Sequence, residues 1–377
     1  MTLEVCGHVG RQEGYLQGGL TCPFFLVLLG ISPRRWLFGF QASLRVTTDR
    51  YDGFMRIALL DDYQDIARSF ADFDSLQEDL NAQITVFTEH LGHDEAAVIA
   101  ALQGFDVIVA MRERTPFPAS VLRGLPDLKL LVTTGKRNSA IDLEAAKELG
   151  ITVSCTRGRG GDAAEHTWAL ILAAARRLDV ELFSADRPLQ DASGWQTTLG
   201  MGLAGKTLGV YGLGNLGAQV AKVGLAFGMK VIAYSQNLTQ ERADEVGVRK
   251  VSEQELFTAS DILTVHLKLS ERSTGVIGAK QFSWMKPDSI LVNTSRSRIV
   301  DTEALINALE SQQIYLAAAD VFDVEPLPAG DKLAATRGFI GTPHIGYVTA
   351  DQYQLFYSEA LDDIRAWAKG TPKRVLA

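Results

Sequence analysis

Three short segments place side chains suited to acid–base and anion-binding chemistry among apolar neighbours: Val292-Asn-Thr-Ser-Arg296-Ser-Arg-Ile-Val-Asp301, Asp320-Val-Phe-Asp-Val-Glu325-Pro326 and Thr342-Pro-His344-Ile-Gly346. Arg296 offers a planar guanidinium fork that can grip a carboxylate and polarise the carbonyl beside it. His344 can give a proton as general acid and take one as base in the reverse direction. Glu325 can orient that imidazole and favour its charged form. Reduction of a 2-keto acid needs a cation for the carboxylate, a proton donor for the forming alkoxide and a hydride. Taken singly, each residue has an ordinary alternative: Arg296, like Arg298 beside it, as a solvated charge; Glu325 before Pro326 as a turn residue; His344 as a loop histidine. Their order and shared setting carry the argument.

A fourth segment, Gly212-Leu-Gly-Asn-Leu-Gly217, fits a dinucleotide that could supply the hydride. It follows a strand pattern and opens a helical one over 218–227, the context that G-x-G-x-x-G requires. Gly212 permits the tight turn, Gly214 the approach of a pyrophosphate and Gly217 close helix packing. Asn215 and Leu216 complete the loop, and the helix N-terminus offers free N–H groups to the phosphates. The alternative is a Gly-rich turn that binds nothing. About 20 residues on, an acid would select the free ribose hydroxyl of NAD(H). There the sequence has Ser235, Gln236 and Asn237, with Arg242 as the nearest arginine. The expected cofactor is NAD(P)H, with NADP favoured over NAD.

These segments need a scaffold of strand ends, and the pattern supplies one. Runs at 57–60, 84–87, 106–110, 129–133 and 151–154 read as buried strands alternating with helices, such as 141–149 ended by Gly150. A helix over 163–182 links to a second series of six strands at 207–211, 230–234, 261–265, 290–294, 316–320 and 339–341. A last helix spans 350–369. Strand–helix alternation implies an α/β fold with parallel sheets covered on both faces. Ligands in such folds bind beyond the carboxyl ends of the strands, where the chemical segments fall.

The ordered set of the glycine loop, N-T-S-R, D-V-F-x-x-E-P and T-P-H-I-G resembles the D-isomer-specific 2-hydroxyacid dehydrogenase family across residues 55–377. That family includes phosphoglycerate dehydrogenase, glyoxylate/hydroxypyruvate reductase and formate dehydrogenase. The resemblance implies catalytic roles for Arg296, Glu325 and His344, a nicotinamide-carboxamide contact for Asp320 and a place for Thr294 in the cofactor site. Met111-Arg112-Glu-Arg114-Thr115 resembles the family's Arg-bearing loop, giving Arg112 as a second cation and Arg114 as its alternative. Thr133-Thr134-Gly135-Lys136-Arg137 resembles the loop whose backbone amides meet the substrate carboxylate, giving Thr134 and Gly135. That loop is ordinarily richer in Gly and Val, so the basic Lys136 and Arg137 leave the substrate's size and charge open; Lys268 stands where Pro commonly follows the His266-Leu267 pair and Ser297 where Gly usually follows the arginine, so no substrate name is carried over.

The implied architecture is two Rossmann-like or flavodoxin-like domains: a substrate domain of 55–156 and 344–377, with an NAD(P)-binding domain of 157–343 inserted in it. The implied activity is NAD(P)-dependent reduction of a 2-keto acid such as glyoxylate or hydroxypyruvate. Phosphoglycerate dehydrogenase is the alternative, and a non-catalytic NAD(H)-sensing corepressor-like protein a further one. A homodimer is expected, with the 163–182 helix as its element. The chain stops at Ala377, soon after the closing helix, so no regulatory domain is expected beyond it.

Composition agrees with a small-molecule enzyme. Apolar residues make up 46% of 377 and charged residues 22%, which excludes a disordered or fibrous chain. A formal charge of −8 argues against a nucleic-acid surface. Cys6, Cys22 and Cys155 form neither a disulfide framework nor a metal-ligand spacing, so no metal and a reducing cytoplasm are expected. Residues 1–54 carry five Arg and four acids. Their apolar run Phe24–Ile31 is too short to cross a bilayer, and Arg34 and Arg35 follow it rather than precede it as in a secretory signal. They are expected to be a disordered extension or sequence upstream of a start at Met55. No membrane association is expected. His266 and His166 read as structural or cofactor-lining and as part of the linking helix; His8, His90 and His93 have no supporting motif. Arg157-Gly-Arg-Gly-Gly161 reads equally as a hinge or as a simple turn.

Overall fold

The computed structural model describes residues 54–182 and 195–377. The expectations for the first 53 residues, including Cys6, Cys22, His8 and the run Phe24–Ile31, lie outside the described residues.

Two all-parallel sheets organise the chain. The first contains β1 (Met55–Leu59), β2 (Ala82–Val86), β3 (Val107–Ala110), β4 (Leu130–Thr133) and β5 (Thr152–Cys155) in the order β2-β1-β3-β4-β5, the flavodoxin-like order. The second contains β6 (Thr207–Tyr211), β7 (Lys230–Tyr234), β8 (Arg249–Lys250), β9 (Ile262–Val265), β10 (Ile290–Asn293), β11 (Leu316–Ala319) and β12 (Phe339–Gly341). Its order, β12-β11-β10-β9-β6-β7-β8, is the doubly wound dinucleotide arrangement with one strand added at the β12 edge. Seven strands replace the expected six. The extra one, β8, is two exposed basic residues pairing with β7, and it has no apolar run to announce it.

Because both faces of each sheet are covered, the central strands are apolar throughout. Alternate residues still serve opposite cores. Ile57, Leu59, Val107 and Val109 pack with Phe73 and Tyr357, while Ala58, Ile108 and Ala110 pack with Val98, Phe117 and Leu122. The helix Ala350–Ala368 buries Tyr353, Phe356, Tyr357 and Ile364 against the first sheet, so the chain returns there after β12. The residues after it add a short antiparallel partner to β5, through Val153 N to Ala377 O at 2.9 Å and Cys155 N to Arg374 O at 3.0 Å.

The expected 163–182 helix is interrupted. It runs Asp162–Arg176, where Arg177 turns left-handed at φ +54°, and a single turn Leu178–Glu181 follows. Arg177 is fixed in that cap by Asp179 at 3.1 Å and the Tyr315 hydroxyl at 2.8 Å. The long segment packs on the second sheet, with Trp168 donating from Nε1 to Val220 O at 3.2 Å. Among the described residues no helix is long and apolar enough to cross a membrane.

Candidate active site

His344 and Glu325 meet beyond the ends of β12 and β11. Nδ1 of His344 lies 2.6 Å from Glu325 Oε2, and the other carboxylate oxygen accepts from Phe322 N at 2.8 Å. With Nδ1 engaged, Nε2 is the ring nitrogen left for exchange with a ligand. Both residues line a cavity of about 700 Å³ between the two sheets, together with Tyr63, Glu113, Arg114 and Phe322. The loop bearing His344 is held by Asp320, which accepts from Thr342 Oγ1 at 2.6 Å, Ile345 N at 2.8 Å and Gly346 N at 2.8 Å. His166, in the Asp162–Arg176 helix, adds a contact to Asp320 at 3.2 Å. Burial works against the Asp320 charge, but the His166 and Thr342 side chains and the Ile345 amide together hold its carboxyl below the usual value.

Arg296 follows β10. Asn293 steadies its backbone, donating from Nδ2 to Arg296 O at 3.0 Å, and Arg296 Nη1 donates to Ser295 O at 2.8 Å. Arg112, left-handed at φ +54°, follows β3 and donates from Nη1 to Thr134 O at 3.2 Å. Between these guanidiniums lies the carboxylate of Glu113, which no motif in the sequence marks, 3.2 Å from Arg296 Nη2 and 3.3 Å from Arg112 Nη2. Arg114 is committed elsewhere. It donates to Asp61 O at 2.6 Å and to the Tyr353 hydroxyl at 3.3 Å, with Tyr63 stacked 4.3 Å away. Arg298 is exposed, as its solvated alternative anticipates.

The loop after β4 differs from expectation. The Thr134 amide donates to Ala110 O at 3.0 Å and the Gly135 amide to Thr156 Oγ1 at 2.8 Å, so neither N–H is available to a substrate. The next two amides, of the exposed Lys136 and Arg137, make no hydrogen bond within the described residues. Thr134 instead serves Arg112, accepting from its amide at 2.9 Å.

At the glycine loop, Gly212 is at φ +106°, and a Cβ there would stand 2.7 Å from His266 O; a Cβ on Gly217 would collide with Gly212 O. Gly214 is different. Its φ is −76° and a Cβ would meet no atom within 4 Å, so packing within the chain does not demand glycine there. The helix begins at Asn215, earlier than expected, and the amides of Asn215, Leu216 and Gly217 precede its first bond, Ala218 N to Gly214 O at 2.9 Å. Thr294 Oγ1 lies 2.6 Å from Thr167 Oγ1. Burial pushes the His266 imidazole down to about 4, in keeping with a neutral structural ring.

After β7, Ser235 is half-buried while Gln236 and Asn237 are exposed. Arg242, the nearest arginine in sequence, pairs with Glu245 at 2.9 Å on its own helix. The arginine that reaches this turn is Arg272, from the loop after β9, donating to Gln236 Oε1 at 3.2 Å. Among the described residues it has no carboxylate within ion-pair distance.

Residues 168–346 match the family model described as D-isomer specific 2-hydroxyacid dehydrogenase, NAD binding domain. The chain is 38% identical over 259 residues to the glyoxylate reductase of Aeropyrum pernix, covering 66% of this chain and 76% of that one. It is 35% identical over 286 residues to the D-3-phosphoglycerate dehydrogenase of Archaeoglobus fulgidus, covering 75% of this chain but only 53% of the relative, so it spans about half that protein's length. A solved phosphoglycerate oxidoreductase from Vibrio cholerae superposes with a TM-score of 0.77 at 34% identity, covering 84% of this chain and 100% of that one.

Proposed function

Since the chain belongs to the D-isomer-specific 2-hydroxyacid dehydrogenase family, we propose that it is an NAD(P)-dependent oxidoreductase reducing a 2-keto acid such as glyoxylate or hydroxypyruvate to the D-2-hydroxy acid. The observation that carries this reading is the His344–Glu325 pair at 2.6 Å, lining the same cavity as a loop that presents Arg112. Arg296 and Arg112 grip the substrate carboxylate, Arg296 polarises the adjacent carbonyl, and the Lys136 and Arg137 amides add donors. Nε2 of His344 delivers the proton to the forming alkoxide, while Glu325 holds the ring and compensates its charge. Reduced nicotinamide, when bound, supplies the hydride. Gly212, Gly214, Asn215, Leu216 and Gly217 would hold its pyrophosphate, and Thr294 and Asp320 would serve its nicotinamide end. In this reading 55–156 with 344–377 form the substrate domain and 157–343 the cofactor domain.

NADP(H) is the preferred cofactor. No acid lies at Ser235–Asn237 to repel a 2′-phosphate, and Arg272 brings a cation to that turn. A homodimer is supported by the exposed apolar side chains Leu182, Trp195 and Leu199 beyond the Asp162–Arg176 helix. A cytoplasmic setting is supported by cysteines without a disulfide spacing.

The test is a panel of glyoxylate, hydroxypyruvate, pyruvate and phosphohydroxypyruvate with NADPH and with NADH. Turnover is expected with an unphosphorylated acid and NADPH. Cofactor binding without turnover of any acid would overturn the enzymatic reading in favour of a sensing protein, and preference for phosphohydroxypyruvate would transfer it to phosphoglycerate dehydrogenase.

A further inference from the structure

Glu113 stands where a substrate carboxylate should go. Oε1 lies 3.2 Å from Arg296 Nη2 and Oε2 lies 3.3 Å from Arg112 Nη2, so one planar anion engages a guanidinium from each side of the cleft. Among the described residues these arginines are its only hydrogen-bonding and ion-pair partners. Its side chain is 20% exposed and lines the same cavity as His344. Arg112 is also committed to Thr134 O, and Arg296 to Ser295 O, so the N–H groups that face Glu113 are the ones turned toward the cleft.

We propose that Glu113 is an internal competitor for the carboxylate grip, one that sets the enzyme's affinity for anionic substrates. The inference rests on the keto-acid reading above. Two guanidiniums and one carboxylate leave a single net positive charge at the grip. An incoming 2-keto acid must displace Glu113 or bind against its charge, and either route weakens binding. Because the competitor is tethered to the loop carrying Arg112, its effective concentration at the grip is high, on the order of millimolar or above for short linkages. A weakly binding metabolite therefore engages only when abundant, and small carboxylates present at low levels are excluded.

The test compares wild type with Glu113→Gln and Glu113→Asp, measuring KM for the best substrate of the panel. The dissociation constant of oxamate, an unreactive carboxylate of similar shape, is measured calorimetrically in the presence of reduced cofactor. Glu113→Gln should lower both by roughly three- to tenfold, the range that two partly buried ion pairs supply together. Glu113→Asp, one methylene too short to reach both arginines, should lower them by less, and it serves if the Gln variant does not fold. If Glu113 instead aligns the arginines for substrate, both constants rise in both variants, and that rise, or no change, overturns the proposal. A wild type that binds oxamate and reduces a keto acid while the variants bind no tighter sinks this inference alone. A wild type that does neither sinks the keto-acid reading with it.

Discussion

At His344 the backbone is left-handed, with φ +52°, a conformation that a bulky L-residue holds only when its surroundings enforce it. Asp320 provides that enforcement, because its carboxylate takes the amides of Ile345 and Gly346, the two residues that follow. Tyr347 packs edge-on against the imidazole at 5.7 Å. The ring is thus fixed with Nδ1 on Glu325, while Nε2 makes no hydrogen bond among the described residues. His344→Ala should reduce kcat by roughly 10²-fold or more, on the scale of general acid catalysis, with the dissociation constant for NADPH unchanged. Unaltered turnover in a variant that binds cofactor normally would remove His344 from the proton-donor role. The cofactor's 2′ end gives a second residue-scale prediction. Arg272→Ala should weaken NADPH binding roughly tenfold or more, as loss of a charge-assisted contact does, and leave NADH unaffected. Ser235→Asp should shift preference toward NADH by placing a like charge against the phosphate. Equal losses for both cofactors in Arg272→Ala would show that Arg272 does not read the 2′ position.

Elements set these residues in place, and how legible each was follows from what makes it an element. Strands such as Val107–Ala110 and Ile290–Asn293 were readable because a parallel sheet covered on both faces forces an unbroken apolar run. Arg249–Lys250 was not, since an edge strand of two exposed residues needs only backbone pairing. Local motifs point to Arg296, Glu325 and His344; Arg272 and Glu113 give no such signal because they acquire partners only when distant loops converge, Arg272 on Gln236 and Glu113 on Arg296. The same limit applies to the C-terminal residues beside β5. There Asp363, wholly buried on the Ala350–Ala368 helix, faces Arg374, whose Nη2 lies 2.8 Å from Oδ1. Burial pushes the Asp363 carboxyl up to about 7; Arg374 opposes the shift, and the negative charges of Asp362 and Glu359 add to it. A carboxyl whose folded pKa exceeds its unfolded value of 3.8 binds its proton more tightly in the folded state. Its contribution is present below about pH 4 and is lost as pH rises toward 7. Asp363→Asn should therefore flatten the fall in Tm between pH 5 and pH 8, raising Tm at pH 8 relative to wild type. Parallel Tm profiles for the two proteins would show that Asp363 does not titrate in that range.

At the scale of the molecule, the chain crosses between the sheets twice, after β5 and after β12, so any movement of one sheet against the other would be absorbed at these crossings. The second is held to β11 by Asp320, through Thr342, Ile345 and Gly346. The first is pinned to the Ala350–Ala368 helix: Arg157 N donates to Glu359 at 2.6 Å, Arg159 N to Gln352 at 2.9 Å, and Arg159 pairs with Asp351 at 2.6 Å. Residues up to Arg159 are thereby tied to the first sheet, and from Asp162 onward the chain is a helix packed on the second. Only Gly160 and Gly161 lie between, so a hinge in this segment is confined to them. Gly160 is at φ +82°, and a Cβ there meets no atom within 4 Å, so Gly160→Ala alters backbone freedom without a clash. The left-handed conformation would cost the alanine about 1–2 kcal/mol, enough to bias the crossing without replacing any residue of the carboxylate grip, His344 or the glycine loop. If closure of the cleft excludes water before hydride transfer, Gly160→Ala should lower kcat several-fold. It should also shrink the isotope effect measured with a reduced cofactor deuterated at the transferred position, because motion rather than chemistry would then limit turnover. A kcat and isotope effect equal to wild type would make Arg157–Gly161 a simple turn and move the hinge to the second crossing, between Thr342 and Ala350.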